Sequence, residues 1–340
     1  MGTMDASAGR SPETGGAGAA PGAPAGTAAG AVPAPGAPAT TAAGAVPAPG
    51  APAVPTPAPA VSVAPAADAG AGTLVVRLGY RGAGFAGFAE QPGQRTVAGE
   101  LRLALQTVLR RPVELTCAGR TDAGVHALAQ YVSLPVDAEE LALPADRLTR
   151  SLVALTPDDI SLRALYRAPV GFSARFDAQA RTYRYRIAAG EARPVLAWDH
   201  AWWYRGALDV AAMHEAAQVL VGEHDFKSFC KAASAEGRPT CRCLERVEVA
   251  RVEEAGEELV AIDVTGNAFL HNMVRTIAGT LVEVGRGHRD PAWVGQVLAA
   301  RDRTAAGPCA PAQGLTFVGV RYPEGLLEPW GTARGEKRAG

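Results

Sequence analysis

The densest group of reactive side chains in this sequence is Cys117-Ala-Gly-Arg120-Thr-Asp122-Ala-Gly-Val-His126-Ala127. It falls between two predicted strands. Asp122 offers a carboxylate, Arg120 stands two residues before it and can pair with it, and Gly119 and Gly124 let a bulky ligand approach the backbone. An Asp before Ala-Gly is also a common turn former, so the run alone admits both readings. Tyr183 and Tyr185 alternate on a strand with Arg181, Arg184 and Arg186. They read either as a base-stacking face edged by phosphate-binding arginines or as core tyrosines with solvated arginines around them. His271, Arg275 and Gly279 recur at four-residue spacing along a predicted helix, Phe269–Val284. A guanidinium among Leu, Met, Val and Ile is costly to bury alone, so Arg275 needs an acid or an anionic ligand; Asp122 is a candidate acid.

Two motif-like features carry less. Gly82-Ala-Gly84-Phe-Ala-Gly87 matches G-x-G-x-x-G, but Glu90–Gln94 intervene before the next helix and no acid follows at the usual distance, which speaks against a dinucleotide site. A glycine loop able to lie close to a ligand backbone is the better reading. The five cysteines are odd in number and irregular in spacing, and Cys241-x-Cys243 is too tight for a common zinc knuckle. No metal site and no disulfide framework are expected, which favours the cytoplasm.

The elements that must position these groups come in the same order twice. Leu74–Tyr80, Thr96–Arg110, Val113–Ala118, Ala129–Val136, Asp146–Leu155 and Ile160–Arg167 read β-α-β-β-α-β. Arg181–Ala188, a helix from Asp209 to Leu220, Cys243–Val252, Leu259–Gly266, Phe269–Val284 and Leu315–Tyr322 repeat it, with one extra helix at Pro291–Ala300. That is the order of the ferredoxin-like unit. The expected fold is α+β: two such units, each an antiparallel sheet with helices on one face. The divisions expected are 73–170 for the first unit, carrying the Asp122 loop, 171–323 for the second, and 324–340 for a polar C-terminal tail.

Residues 1–72 differ from the rest. They hold 13 of the 26 prolines and no Leu, Ile, Phe, Tyr or Trp, and Thr27–Ala39 repeats letter for letter as Thr41–Ala53. Such a composition cannot offset its ordering entropy, so a disordered tail is expected. Deleting residues 1–72 should leave activity and melting temperature nearly unchanged; a large fall in the catalytic rate of the truncated protein would overturn that. Removing the four charged tail residues leaves 32 Lys+Arg against 31 Asp+Glu, and a net charge of +1 gives no support for a broadly basic coat. No run of about 18 apolar residues is present, so no transmembrane helix is expected.

The run Ala118–Ala127 (AGRTDAGVHA) resembles the signature of the bacterial tRNA pseudouridine synthase A family. Supporting blocks follow in the family's order: Tyr80-x-Gly82-x-x-Phe85-x-Gly87, Phe172-Ser-Ala-Arg175-Phe176, Arg181-x-Tyr183-x-Tyr185, Asp225-Phe226-x-Ser228-Phe229, Asn267-Ala-Phe269-x-His271-x-Met273-Val274-Arg275 and Asp302-Arg303-Thr304. The likeness spans roughly residues 73–323. One departure is Phe88-Ala89, where the family commonly has Trp after the glycine. The resemblance implies isomerisation of uridine to pseudouridine at positions 38, 39 and 40 of the tRNA anticodon stem-loop, by a homodimer, with no cofactor and no metal. It implies Asp122 as the nucleophile, with Arg120, Arg275 and Tyr183 in the active site, and Tyr183, Phe85, Phe88, Arg175 and His271 as substrate contacts. The rival from another class is a non-catalytic RNA-binding protein with two RRM-like sheets. Its basic-Gly-aromatic signature is not found on a predicted central strand, and the Arg-Thr-Asp cluster would then serve no purpose.

Overall fold

The computed structural model describes residues 70–332; the expectations for the N-terminal tail and for 333–340 lie outside them. The first half comprises β1 (Gly72–Tyr80), α1 (Val97–Leu109), β2 (Thr116–Cys117), β3 (His126–Val136), α2 (Ala138–Leu141), α3 (Ala145–Leu155) and β4 (Ile160–Ala168). The second comprises β5 (Ala180–Ala189), β6 (Trp202–Tyr204), α4 (Val210–Ala217), β7 (Gly222–Asp225), α5 (Ala232–Ala235), β8 (Cys241–Glu254), β9 (Glu257–Gly266), α6 (Met273–Gly285), α7 (Trp293–Ala300), β10 (Leu315–Arg321) and β11 (Glu328–Thr332).

Local chemistry sets most of these boundaries. Thr96 caps α1 by accepting a hydrogen bond from the Gly99 amide at 3.3 Å, and Val97, Leu101, Ala104 and Leu105 form its buried stripe. Asp209 caps α4 through the Ala212 amide at 3.0 Å. That helix ends at Ala217 and tightens to a 3-10 turn over Gln218–Leu220.

The strands do not form two separate sheets. They form one eleven-stranded sheet in the order β11-β4-β1-β3-β10-β5-β9-β8-β7, with β2 beside β3 and β6 beside β5. Within it the first half keeps the order β4-β1-β3-β2 and the second β10-β5-β9-β8. The halves meet where β10 runs parallel to β3, Thr316 opposite His126 and Phe317 opposite Ala127. Pairing satisfies backbone groups that two exposed edges would leave open. Phe317 is fully buried at the seam, its ring 4.8 Å from that of Tyr183 on β5. The seam brings the end of the Asp122 loop beside the second half.

Two further expectations change. Residues 324–332 are not simply a tail: Glu328–Thr332 pairs antiparallel with β4 as β11, and the Arg167 guanidinium lies 4.6 Å from the Trp330 ring centroid. Helix α6 begins at Met273 rather than Phe269, because Asn272 adopts a left-handed conformation (φ 66°) that α-helix cannot continue through. Residues 269–272 therefore turn ahead of the helix, and His271 lies off its face.

A strap formed by residues 307–310 crosses α6. The Gly307 amide donates to Thr280 Oγ1 at 3.0 Å and the Ala310 amide to the Arg275 carbonyl at 3.1 Å. A Cβ on Gly279 would stand 1.8 Å from the Pro308 carbonyl oxygen. Gly279→Ala should therefore cost about 3 kcal/mol, at the upper end for overpacking, and lower the thermal midpoint by about 6–12 °C. A midpoint within a degree or two of wild type would show that the strap moves away freely.

Candidate active site

The loop carrying Asp122 is held from several sides. Tyr80 Oη and Thr121 Oγ1 share a hydrogen bond of 2.7 Å, the Phe88 amide donates to the Thr121 carbonyl at 3.0 Å, and Gln130 Nε2 donates to the Gly119 carbonyl at 2.6 Å. Here the glycine-rich loop finds its role. A Cβ on Gly82 would lie 2.0 Å from the Val125 carbonyl oxygen, and one on Gly87, whose φ is +110°, 3.0 Å from that of Thr121. The Gly82 amide also donates to His126 Nδ1 at 3.2 Å. The close backbone approach these glycines permit is to the Asp122 loop itself.

Asp122 is half-buried, and the second half supplies its partners. His271 Nε2 stands 3.3 Å from Oδ1 and Arg275 Nη1 stands 3.6 Å from Oδ2. Arg275 is fixed in turn: its Nε donates to the Ala310 carbonyl at 2.8 Å and its Nη1 to Asn272 Oδ1 at 3.1 Å. The arginine on the first turn of α6 thus faces an acid, and the acid is Asp122. Arg120 differs from expectation: it is exposed, and among the described residues no ion pair joins it to Asp122. It lines the same cleft as Asp122 without pairing with it.

The tyrosine pair divides between its two readings. Tyr185 is fully buried and donates its hydroxyl to the Pro311 carbonyl at 2.8 Å, so it belongs to the core. Tyr183 is buried edge-on against Phe269 (4.9 Å, 75°) yet borders the cleft above Asp122. Burial pushes its hydroxyl pKa well above the usual phenol value, and the nearby Asp122 charge adds to the shift, so the phenol keeps its proton. Its arginine neighbours are not phosphate binders. Arg184 grips Asp263 with two bonds of 2.8 Å, and Arg186 donates to Glu254 at 2.7 Å. Arg181 is buried and spends its donors on the carbonyls of Ala118 (3.0 Å), Asn267 (2.6 Å), Ala178 (3.2 Å) and Arg175. It ties the Asp122 loop to both neighbouring segments.

Two expected ligand contacts are largely buried. Phe85 is 4% exposed, covered by the Arg95 guanidinium at 4.2 Å, and Phe88 is 3% exposed beside Tyr80. Phe88 also lines the cleft.

Above Asp122 opens a cleft of about 1510 Å³. Arg120, Arg175, Arg181, Arg238, Arg242 and Arg275 line it, together with His271. With Arg102 there are seven arginines against three carboxylates, Glu90, Glu114 and Asp122, so a chain of nearly balanced charge concentrates an excess of cations here, as an anionic polymer threaded through the cleft would require. Arg238 and Arg242 escaped notice in the sequence because Gly-Arg-Pro-Thr-Cys-Arg has no periodicity; the strong preference for Arg over Lys was the only hint. Among the described residues no group of three His, Cys, Asp or Glu could hold a metal ion.

Known proteins agree in one direction. The family described as tRNA pseudouridine synthase matches residues 216–323. The chain is 43% identical over 251 residues to the tRNA pseudouridine synthase A of Methylococcus capsulatus, an alignment covering 74% of this chain and 90% of that one. It is 46% identical over 255 residues to the enzyme of the same name from Frankia casuarinae, covering 74% and 89%. A third relative of that name, from Vibrio parahaemolyticus, is 41% identical over 258 residues, covering 74% and 92%.

Proposed function

The chain belongs to the tRNA pseudouridine synthase A family, and on that footing we propose that it isomerises uridine to pseudouridine at positions 38, 39 and 40 of the tRNA anticodon stem-loop. It is a tRNA-modifying isomerase. The observation that carries the site assignment is the Asp122 carboxylate at the floor of an arginine-lined cleft, with Arg275 and His271 on its two oxygens.

In the reaction the N1–C1′ bond breaks, the uracil turns, and C5 bonds to C1′. The C5 proton leaves to solvent and N1 gains one, so the sum is redox-neutral and consumes no water. A carboxylate at the sugar suffices as nucleophile or as partner to the developing cation. Asp122 takes that place. Arg275, 3.6 Å from Oδ2, holds it aimed. Tyr183, neutral and partly walled by Phe269, offers a stacking face to the extruded base. Arg120, Arg175 and His271 stand where phosphates or the base would pass. A stem uridine must leave its helix first, at a cost on the order of a few kcal/mol.

Each half of the sheet, in the order β4-β1-β3-β2 and β10-β5-β9-β8, fits the ferredoxin-like unit, with the units divided near residue 170. A homodimer acting in the cytoplasm completes the reading. A non-catalytic RNA binder would need the cleft but not the carboxylate held on both oxygens.

Mapping modified bases tests the assignment. Unmodified tRNAs with uridines at 38, 39 or 40 are incubated with the protein, treated with carbodiimide, and read by primer extension. Stops at those positions are expected. Pseudouridine formed only elsewhere in the tRNA would remove the positional assignment.

A further inference from the structure

His271 is tied twice to the segment that follows β7. The Lys231 amide donates to its carbonyl at 3.1 Å, and Ser234 Oγ stands 3.1 Å from its Nδ1. Its other ring nitrogen, Nε2, faces Asp122 Oδ1 at 3.3 Å. Ser234 lies on α5, and the same segment continues to Arg238 and Arg242 on the cleft wall. Ser234 thus connects to Asp122 through one imidazole.

The chemistry of that ring fixes its direction. Beside a carboxylate, the proton of a neutral imidazole belongs on Nε2, where it meets negative charge; Nδ1 must then accept, and the Ser234 hydroxyl donates. Without such a partner the ring has little to hold it, because the χ2 torsion of histidine is broad and the side chain is 41% exposed. The carboxylate has the same difficulty. Arg275 stands on the Oδ2 side, at 3.6 Å, and a contact on one oxygen leaves the carboxylate plane free to turn. A second contact on Oδ1 sets that plane.

We propose that Ser234 is a positioning residue: it locks the tautomer and orientation of His271, which in turn fixes the plane of Asp122 for attack. The relay rests on the isomerase reading above. It also links the aim of the carboxylate to the wall carrying Arg238 and Arg242, so a tRNA backbone gripped there bears on the segment that holds the relay.

The test uses the full-length protein and single-turnover reactions with saturating enzyme, with tRNA affinity measured separately. Ser234→Ala should slow the chemical step by about threefold to tenfold, the size one neutral hydrogen bond carries. Affinity for tRNA should stay within about twofold, because the hydroxyl donates inward. Ser234→Thr, which keeps the hydroxyl, should restore most of the rate. In a His271→Ala background, Ser234→Ala should have almost no further effect, since linked residues fail together. An unchanged rate in Ser234→Ala, a loss confined to tRNA affinity, or a full-sized effect without His271 would each overturn the relay.

A readout independent of activity separates this proposal from the functional reading. With ¹⁵N-labelled histidine and the His271 signal assigned from His271→Gln, the ring should show a protonated Nε2 and an accepting Nδ1. Ser234→Ala should shift that pattern. A protein that shows the pattern yet forms no pseudouridine would sink the isomerase reading and leave the relay standing. A ring protonated on Nδ1, or one insensitive to Ser234, would sink the relay whatever the activity.

Discussion

Asp122→Asn is expected to abolish pseudouridine formation, with a rate loss of at least about a thousandfold, the order seen when one member of a catalytic unit is removed. Asn has the same shape but no charge to offer the sugar carbon. Folding should survive. Asp122 is only half-buried, and Arg275 keeps its bonds to the Ala310 carbonyl and Asn272 when the acid is neutralised. Affinity for tRNA should hold or rise, because removing an anion from an arginine-lined cleft eases the approach of phosphate. Rate under single turnover, thermal midpoint and equilibrium binding measure the three quantities separately. An Asn variant that keeps near-normal turnover would show that another group carries the reaction.

Arg275→Ala should be nearly as damaging, lowering the single-turnover rate by about a hundredfold or more, as loss of a group that acts in one unit with the nucleophile does. It removes the cation on Oδ2 and leaves the Ala310 carbonyl without its donor, so some stability is lost too, about 1–3 kcal/mol. The informative variant is the double one. Added to Asp122→Asn, Arg275→Ala should cost little further rate, because the pair acts as a unit. If Arg275 instead grips a tRNA phosphate, the single variant would weaken binding, flatten the log–log salt slope by about one unit, and leave the chemical step intact. The geometry favours the first outcome. Two of the three guanidinium nitrogens of Arg275 already serve Ala310, Asn272 and Asp122, and its side chain is only 18% exposed.

Where the causes were local, the sequence was readable. Thr96 before a three-and-four stripe marked α1, Asp209 marked the start of α4, and the alternation of β4 and β5 matched their ranges. The Asp122 loop stood out because glycines, an acid and a histidine fell within one short run. The need of Arg275 for an anion followed from its apolar neighbours, and the structure supplies Asp122.

What could not be read depends on contacts between distant segments. Nothing in β3 or β10 alone indicates that they pair in parallel and merge two sheets into one. The left-handed Asn272 that frees His271 from α6 looks like any polar residue ahead of a helix. Phe85 looks like an open ring in a glycine loop until Arg95 is seen covering it. Arg184 and Arg186 look like phosphate binders until Asp263 and Glu254 arrive from β9 and β8. Arg120 reads as the natural partner of Asp122 by proximity in sequence, yet the partners come from residues 271 and 275.

The central claim is that Asp122 lets this chain exchange a C–N for a C–C glycosidic bond within tRNA, and proton release from C5 reports that event alone. Transcripts carrying [5-³H]uridine are mixed with excess protein, and tritium in water is counted against time, with free uracil assayed in the same samples. The account predicts one tritium released for each pseudouridine formed, no free uracil, and no release above background with Asp122→Asn. Tritium release at the wild-type rate from the Asn variant, or free uracil in place of pseudouridine, would contradict it.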